Sequence, residues 1–81
     1  MPEVARFEPK LALDGGADGL AAYRAIAAAA RQLLAPRGLL MVEVGEGQAL
    51  AVKGLFGAAG LQHRGIWRDL GGIERVVAAG Q

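Results

Sequence analysis

The chain of 81 residues contains no cysteine, which excludes disulfide bonds and thiolate metal sites as supports for a small core. The absence also fits a reducing compartment, and we expect a cytoplasmic protein. No charged leader followed by an apolar segment opens the sequence, which argues against a secretory signal. The longest apolar run is interrupted by Arg24 and Arg31, so we expect no membrane-spanning segment.

An excess of either charge is also lacking, since nine basic and eight acidic residues leave a net charge of +1. This balance gives no support to direct nucleic-acid binding or to a polybasic membrane patch. Arg64, Arg68 and Arg75 predict a mildly basic face on one hairpin. Trp67 is the only aromatic residue among them, so we prefer a solvated sheet surface to an RNA-binding one.

Apolar residues and glycine dominate what remains, at 53% hydrophobic residues and 13 glycines. A chain of this size forms one domain at most and buries only about 60% of the surface that its unfolded form exposes. So much apolar surface in so small a chain suggests a face that another polypeptide covers.

The chain begins with a segment typical of a loop, because residues 2–18 lack periodicity and hold two of the three prolines. We therefore predict a leading loop over 1–18 and a helix-strand-helix-hairpin unit over 19–81, together one partial domain. Asp18 is the predicted N-cap of the first helix, which Pro36 and Gly38 end. Apolar residues at three- and four-residue spacing predict this helix: Leu20, Tyr23, Ile26, Ala27, Ala30, Leu33 and Leu34.

The apolar run LLMVEVG predicts a central strand over 39–45, covered by helices on both faces. A second helix is predicted over 47–59, ended by Gly60 and weakened by Gly54 and Gly57. Two strands over 62–68 and 73–79 predict an antiparallel hairpin. The order implies an α/β fold in which only the hairpin pairs with the central strand, so one edge of that strand is expected to be bare.

Two glycines between the central strand and the second helix, Gly45 and Gly47, resemble a dinucleotide-binding turn, with Asp69 after the next strand. Leu50 stands where the third glycine belongs, and Glu46 would repel phosphates, so a tight turn is the preferred interpretation. No P-loop and no Ser/His/Asp or Cys/His catalytic set occurs.

Glu43 is the stronger candidate, because a carboxylate ending an apolar parallel strand lies where ligands gather in open α/β sheets. The alternative is a side chain that reaches solvent or caps backbone N–H groups, and the residues alone leave both open.

Metal binding is not expected. Arg6, Glu8, Asp14 and Asp18 in the leading loop miss the alternating oxygen ligands of a calcium loop, so a salt-bridged loop is preferred. His63 is the only histidine and has no second ligand, so we expect it on a strand surface.

Three stretches, FEP…ALDGG.DGL..YR, EVG.GQ…V and DL.G..RVV, follow one another over essentially the whole chain. In this order the chain resembles the C-terminal half of the bacterial peptide chain release factor glutamine methyltransferases. The resemblance implies part of a Rossmann-like class I methyltransferase sheet, namely its last three strands with the terminal antiparallel hairpin.

The resemblance also implies an activity: methyl transfer from S-adenosylmethionine to the glutamine amide of the Gly-Gly-Gln motif in release factors. In this family a glycine-rich loop and an acidic residue hold the cofactor, and an Asn-Pro-Pro-Tyr motif holds the glutamine. This chain contains none of these, so we expect no cofactor-binding or catalytic residue in it and no activity of the 81 residues alone. Phe7, Glu8, Pro9 and Glu43 are the positions expected nearest to the substrate.

Two further hypotheses about function stay open at this point. One is a free-standing interaction module without catalytic activity, which self-associates through the exposed sheet edge. The other is a small nucleotide binder that uses Gly45 and Gly47, which we do not expect.

Overall fold

The computed structural model describes residues 4–7 and 19–81, and the side chains from Gly19 onward. Four strands form one sheet in the order β1-β2-β4-β3, and two helices connect them. The elements are β1 (Val4–Phe7), α1 (Ala21–Leu33), β2 (Leu39–Glu43), α2 (Ala49–Ala58), β3 (Gln62–Arg68) and β4 (Glu74–Gly80). Strand β1 runs parallel to β2, whereas β4 is antiparallel to both β2 and β3.

Helix α1 forms where the apolar spacing predicts it, with Tyr23, Ala27 and Ala30 buried along one side. Its N-cap position is Leu20, which makes no side-chain capping hydrogen bond, and the predicted cap Asp18 lies outside the described residues. The helix ends at Leu33 because Leu34 turns to an extended conformation, two residues before Pro36.

Helix α2 packs Ala49, Val52 and Phe56 inward and ends as the sequence predicts. Gly60 has a φ of +92°, a conformation that glycine adopts without strain. The Leu61 N–H then donates to the Phe56 carbonyl at 3.0 Å, which satisfies one of the free carbonyls at the helix end.

The core lies between the two helices and one face of the sheet. Alternate side chains of β2 and β4 point into it, and both helices contribute to the same buried cluster, of which the main members are Tyr23, Ala27, Leu40, Val42, Val52, Phe56, Val77 and Ala79. Since successive strand residues alternate between faces, Leu39 and Met41 lie on the opposite face, where they are half-buried. The prediction of helices on both faces is therefore wrong for the described part of the chain.

Two further expectations need correction at the start of the chain. Residues 4–7, predicted as loop, form β1, and β1 pairs with β2 from Val4–Leu39 to Phe7–Val42. Strand β2 therefore has neighbours on both sides, and its edge is not bare. The outer side of β1 is the edge of the described sheet instead. No helix among the described residues is long and apolar enough to cross a membrane.

Candidate functional site

The candidate site lies at the edge of the sheet that is formed by the carboxyl-terminal ends of the parallel strands β1 and β2. Phe7 is aligned with Val42 in the register, so its backbone lies next to the end of β2, one residue before Glu43. Of the four positions predicted near a substrate, the fold thus brings Phe7 and Glu43 to one edge. Glu8 and Pro9 lie outside the described residues.

Glu43 ends β2 as a half-buried residue opposite Val76 of β4. Its backbone carbonyl accepts a hydrogen bond from the Tyr23 hydroxyl at 2.9 Å. Its carboxylate makes no hydrogen bond or ion pair with a described residue. A carboxylate at this edge whose oxygens have no partner among the described residues can accept a hydrogen bond from a polar group of a ligand.

Tyr23 attaches the start of α1 to the end of β2. Its side chain is 3% exposed, and burial, followed by the nearby negative charge of Glu43, raises the pKa of its phenol. The phenol therefore stays neutral at physiological pH and keeps its donor hydrogen for the Glu43 carbonyl. The apolar spacing identifies Tyr23 as a core residue but not this hydrogen bond.

Gln48 is a site residue that the sequence reasoning missed. Its side-chain oxygen accepts from the Gly45 N–H at 2.8 Å, and its side-chain nitrogen donates to the Gly19 carbonyl at 3.5 Å. The side chain thus connects the turn before α2 to the residues that lead into α1. Its only sequence signal is its place in the EVG.GQ stretch, since a contact between residues 29 apart leaves no local pattern.

The same hydrogen bonds argue against the hypothesis that the turn at residues 45–48 binds a nucleotide. The Gly45 N–H, which would face a phosphate, already donates to Gln48, and a Cβ at Gly45 would lie 2.9 Å from the Gln48 oxygen. Glu46 adds a negative charge on the exposed side of the turn. The described residues here do not fit a nucleotide phosphate, which supports the interpretation as a tight turn.

Asp69 organises the hairpin between β3 and β4. One carboxylate oxygen accepts from the N–H groups of Gly71 and Ile73 at 2.9 and 3.0 Å, and the other accepts from Arg75 at 3.0 Å. These partners, the Ile73 N–H first, lower the pKa of the Asp69 carboxyl. With its acceptor positions used in this way, Asp69 acts in the turn and is not available as a ribose ligand.

The basic face expected on the hairpin is largely neutralised. Arg68 pairs with Glu74 at 3.2 Å, and Arg75 pairs with Asp69, whereas Arg64 makes no ion pair with a carboxylate side chain of the described residues. His63 is exposed on β3, as predicted. The described residues contain no group of acidic, histidine or cysteine side chains that could hold a metal ion.

No protein-family model matches the chain. Individual proteins are similar to it. The release factor glutamine methyltransferase of Rhodospirillum rubrum is 56% identical to this chain over 78 residues. These residues are 96% of this chain and 24% of that protein. The Geobacter sulfurreducens enzyme of the same name is 51% identical over 94% of this chain and 27% of its own length. This chain therefore spans about a quarter of the length of these relatives.

A crystal structure is also similar, that of a release factor-specific protein-(glutamine-N5) methyltransferase from Alicyclobacillus acidocaldarius. It superposes with a TM-score of 0.62 at 41% identity, over 76% of this chain and 40% of that one. The predicted resemblance to this family and the predicted partial class I methyltransferase fold are both confirmed.

Proposed function

Because the chain is a relative of the release factor glutamine methyltransferases over nearly all of its length, we propose that it forms the substrate side of such an enzyme. In this role the methyl donor is S-adenosylmethionine, the acceptor is the glutamine amide of a release factor, and the reaction takes place in the cytoplasm. The 56% identity to the Rhodospirillum rubrum enzyme is the observation on which this proposal depends.

The edge that contains Phe7 and Glu43 is the part that we assign to the glutamine. An amide nitrogen is a weak nucleophile, so transfer requires that the amide is held in line with the methyl group by hydrogen-bond acceptors. The half-buried Glu43 carboxylate is an acceptor at this edge, and Tyr23 fixes the backbone from which it extends. We assign Glu43 a substrate-positioning role, with Phe7, Glu8 and Pro9 as the adjoining wall.

The 81 residues alone are proposed to be inactive. They contain no asparagine, so an Asn-Pro-Pro-Tyr motif is absent from them. The glycine-rich cofactor loop of the family is also absent from them. Glu43 alone then has no cofactor beside it and no asparagine to share the amide, so the entropic advantage of positioning both reactants is lost.

A chimera tests this proposal. In the Rhodospirillum rubrum enzyme, the matching 78 residues would be replaced by this chain, and methylation of a release factor by S-adenosylmethionine would be measured. We expect turnover by the chimera and none by the isolated chain. A folded chimera without turnover, or turnover by the isolated chain above a blank, would contradict the proposal.

The role of Glu43 is tested in the same chimera. Glu43→Gln removes the charge but keeps the shape, and we expect turnover to fall by about tenfold, the effect of losing one charge-assisted hydrogen bond. Glu46→Gln is the matched control, since Glu46 lies three residues away on the exposed side of the turn. If both variants retain full turnover, Glu43 does not position the substrate.

A second role, self-association through a sheet edge, is supported by the topology. Among the described strands, β1 has a neighbour on one side only. Its outer N–H and C=O groups are a template for a strand of another chain, and we propose that the isolated polypeptide dimerises there.

A further inference from the structure

The described carboxylate side chains all lie at one end of the strands of the sheet. The four described carboxylate side chains belong to Glu43, Glu46, Asp69 and Glu74, all at the end where β2 and β3 finish and β4 begins. At the opposite end, Arg37 precedes β2 and Arg64 lies near the start of β3, and neither is in an ion pair with a described carboxylate side chain. Neither guanidinium group thus has a carboxylate side chain among the described residues as its counter-charge.

The two arginines line one cavity of about 260 Å³, together with Pro36, Gly38 and Leu39. The cavity lies where β2 begins and β4 ends, since Leu39 is aligned with Gly80. It is therefore separated from the Glu43 edge by the length of the strands. Its volume is below the roughly 300–1,000 Å³ of pockets for drug-sized ligands, so it suits a small anion or the terminal group of a larger molecule.

The absence of a side chain at Gly80 leaves room for the Arg64 guanidinium to reach the cavity. A Cβ on Gly80 would lie 3.0 Å from the Arg64 Nε and 3.1 Å from the Gly38 carbonyl oxygen, so a larger residue would push the guanidinium away. Arg64 donates one long hydrogen bond of 3.4 Å to the main-chain oxygen of Gln81, which in the 81-residue chain is part of the terminal carboxylate. No other described residue accepts from this guanidinium, so its remaining N–H donors can bind a ligand.

We propose that this cavity binds a phosphate group. A phosphate monoester has close to two negative charges at neutral pH, which match the two guanidinium groups, and its oxygens accept bidentate hydrogen bonds from arginine. Leu39 and Pro36 form the apolar part of the lining and accommodate the small organic group attached to the phosphate. The site is distinct from the proposed substrate edge and does not depend on methyl transfer.

The test is a titration of the isotope-labelled chain with inorganic phosphate, followed by NMR at constant ionic strength, because free salt screens exposed charges. We expect saturable shifts of the Gly38 and Leu39 amides and of the Arg64 side-chain N–H. Acetate, with one charge, is expected to bind at least about tenfold more weakly than phosphate. Equal affinity for the two anions, or shifts that do not saturate, would overturn the proposal.

Substitutions identify the residues. Arg37→Gln and Arg64→Gln are each expected to weaken phosphate binding by about tenfold, since each removes charge-assisted hydrogen bonds. Arg64→Lys keeps the charge but lacks the paired N–H donors of the guanidinium, so it is expected to weaken phosphate binding less than Arg64→Gln does. Arg68→Gln is the matched control on the same strand, because Arg68 pairs with Glu74 at the other end. If Arg68→Gln weakens binding as much as Arg64→Gln does, phosphate is not bound in this cavity.

Discussion

Single side chains connect the core of this molecule to its candidate site. The Tyr23 ring packs in the buried cluster, while its hydroxyl donates to the last residue of β2. The charge of Glu43 acts on the phenol in return and contributes to raising its pKa. A titration of the phenol therefore reports on the folded geometry of the candidate site.

Tyr23 is the only tyrosine of the chain, so tyrosinate absorbance in the near ultraviolet measures its ionisation directly. We expect a native midpoint above the ordinary value of 10.0 and a return to that value in denaturant. Because the folded pKa is raised, the contribution of this group to stability is present below pH 10 and is lost as the pH rises through the folded pKa. A native midpoint at or below 10.0 would contradict the burial of the hydroxyl.

Two variants separate the causes of that shift. Glu43→Gln removes the negative charge, so the Tyr23 pKa is expected to fall but to stay above its ordinary value, since burial is the larger cause. Glu46→Gln changes an exposed carboxylate of the neighbouring turn and is expected to leave the midpoint unchanged. An equal effect of the two substitutions would mean that the Glu43 charge does not act on Tyr23.

The sequence identifies some residues of the candidate site and not others. Glu43 could be predicted, because a lone carboxylate at the end of an apolar strand is conspicuous and its location follows from the α/β order. Gln48 could not, since its hydrogen bonds to Gly45 and Gly19 depend on how the ends of the two helices meet in space. The position of Asp69 after β3 matches a nucleotide fingerprint, yet its hydrogen bonds to the N–H groups of Gly71 and Gly72 make it a turn residue.

At the scale of elements, α2 has two glycines that its packing does not require. Gly54 and Gly57 are exposed, and a Cβ on either would meet no atom within 4 Å. Gly54→Ala and Gly57→Ala are each expected to raise the free energy of unfolding by about 0.5–1 kcal/mol, because alanine loses less backbone entropy in a helix. Chemical or thermal denaturation measures the change, with a rise of roughly 4–8 °C in Tm per kcal/mol for a domain of this size.

Gly47→Ala is the control for these two substitutions. Gly47 also has no atom near its missing Cβ, but its φ of +83° is one that alanine rarely adopts, so this variant is expected to be destabilised. If Gly54→Ala and Gly57→Ala lower the unfolding free energy, α2 does not have its assigned conformation at these positions.

The helices and three of the strands could be predicted within a few residues because each has a local pattern. The apolar spacing defines α1, and glycine marks the end of α2 and the hairpin between β3 and β4. Strand β1 was missed because four residues beside a proline-bearing segment provide no alternation, and its hydrogen bonds come from β2, more than 30 residues later. Periodicity also could not reveal on which face the helices pack, since Leu39 and Met41 are as apolar as Leu40 and Val42.

At the scale of the whole molecule, the two outer strands of the described sheet, β1 and β3, differ in how readily they can pair with a strand of another chain. Strand β3 has register shifts between His63 and Gly65 and between Trp67 and Arg68, and such irregularities weaken edge-to-edge pairing. Strand β1 is regular over its four paired residues. If the isolated chain self-associates through its sheet, β1 is therefore the edge that we expect to be used.

Sedimentation of the isolated chain tests this expectation, and proline substitutions in β1 locate the interface. In a parallel pair, successive residues direct their N–H groups to opposite sides, so either Ala5 or Arg6 directs its N–H away from β2. We expect the wild type to sediment as a dimer at high concentration. Proline removes the N–H donor from one side of the strand only. Where the replaced residue directs its N–H away from β2, we expect Ala5→Pro or Arg6→Pro to give a folded monomer. The other of the two substitutions removes a hydrogen bond to β2 and is expected to lower stability. A cooperatively melting wild-type monomer at high concentration, or a dimer that survives both substitutions, would exclude pairing through β1.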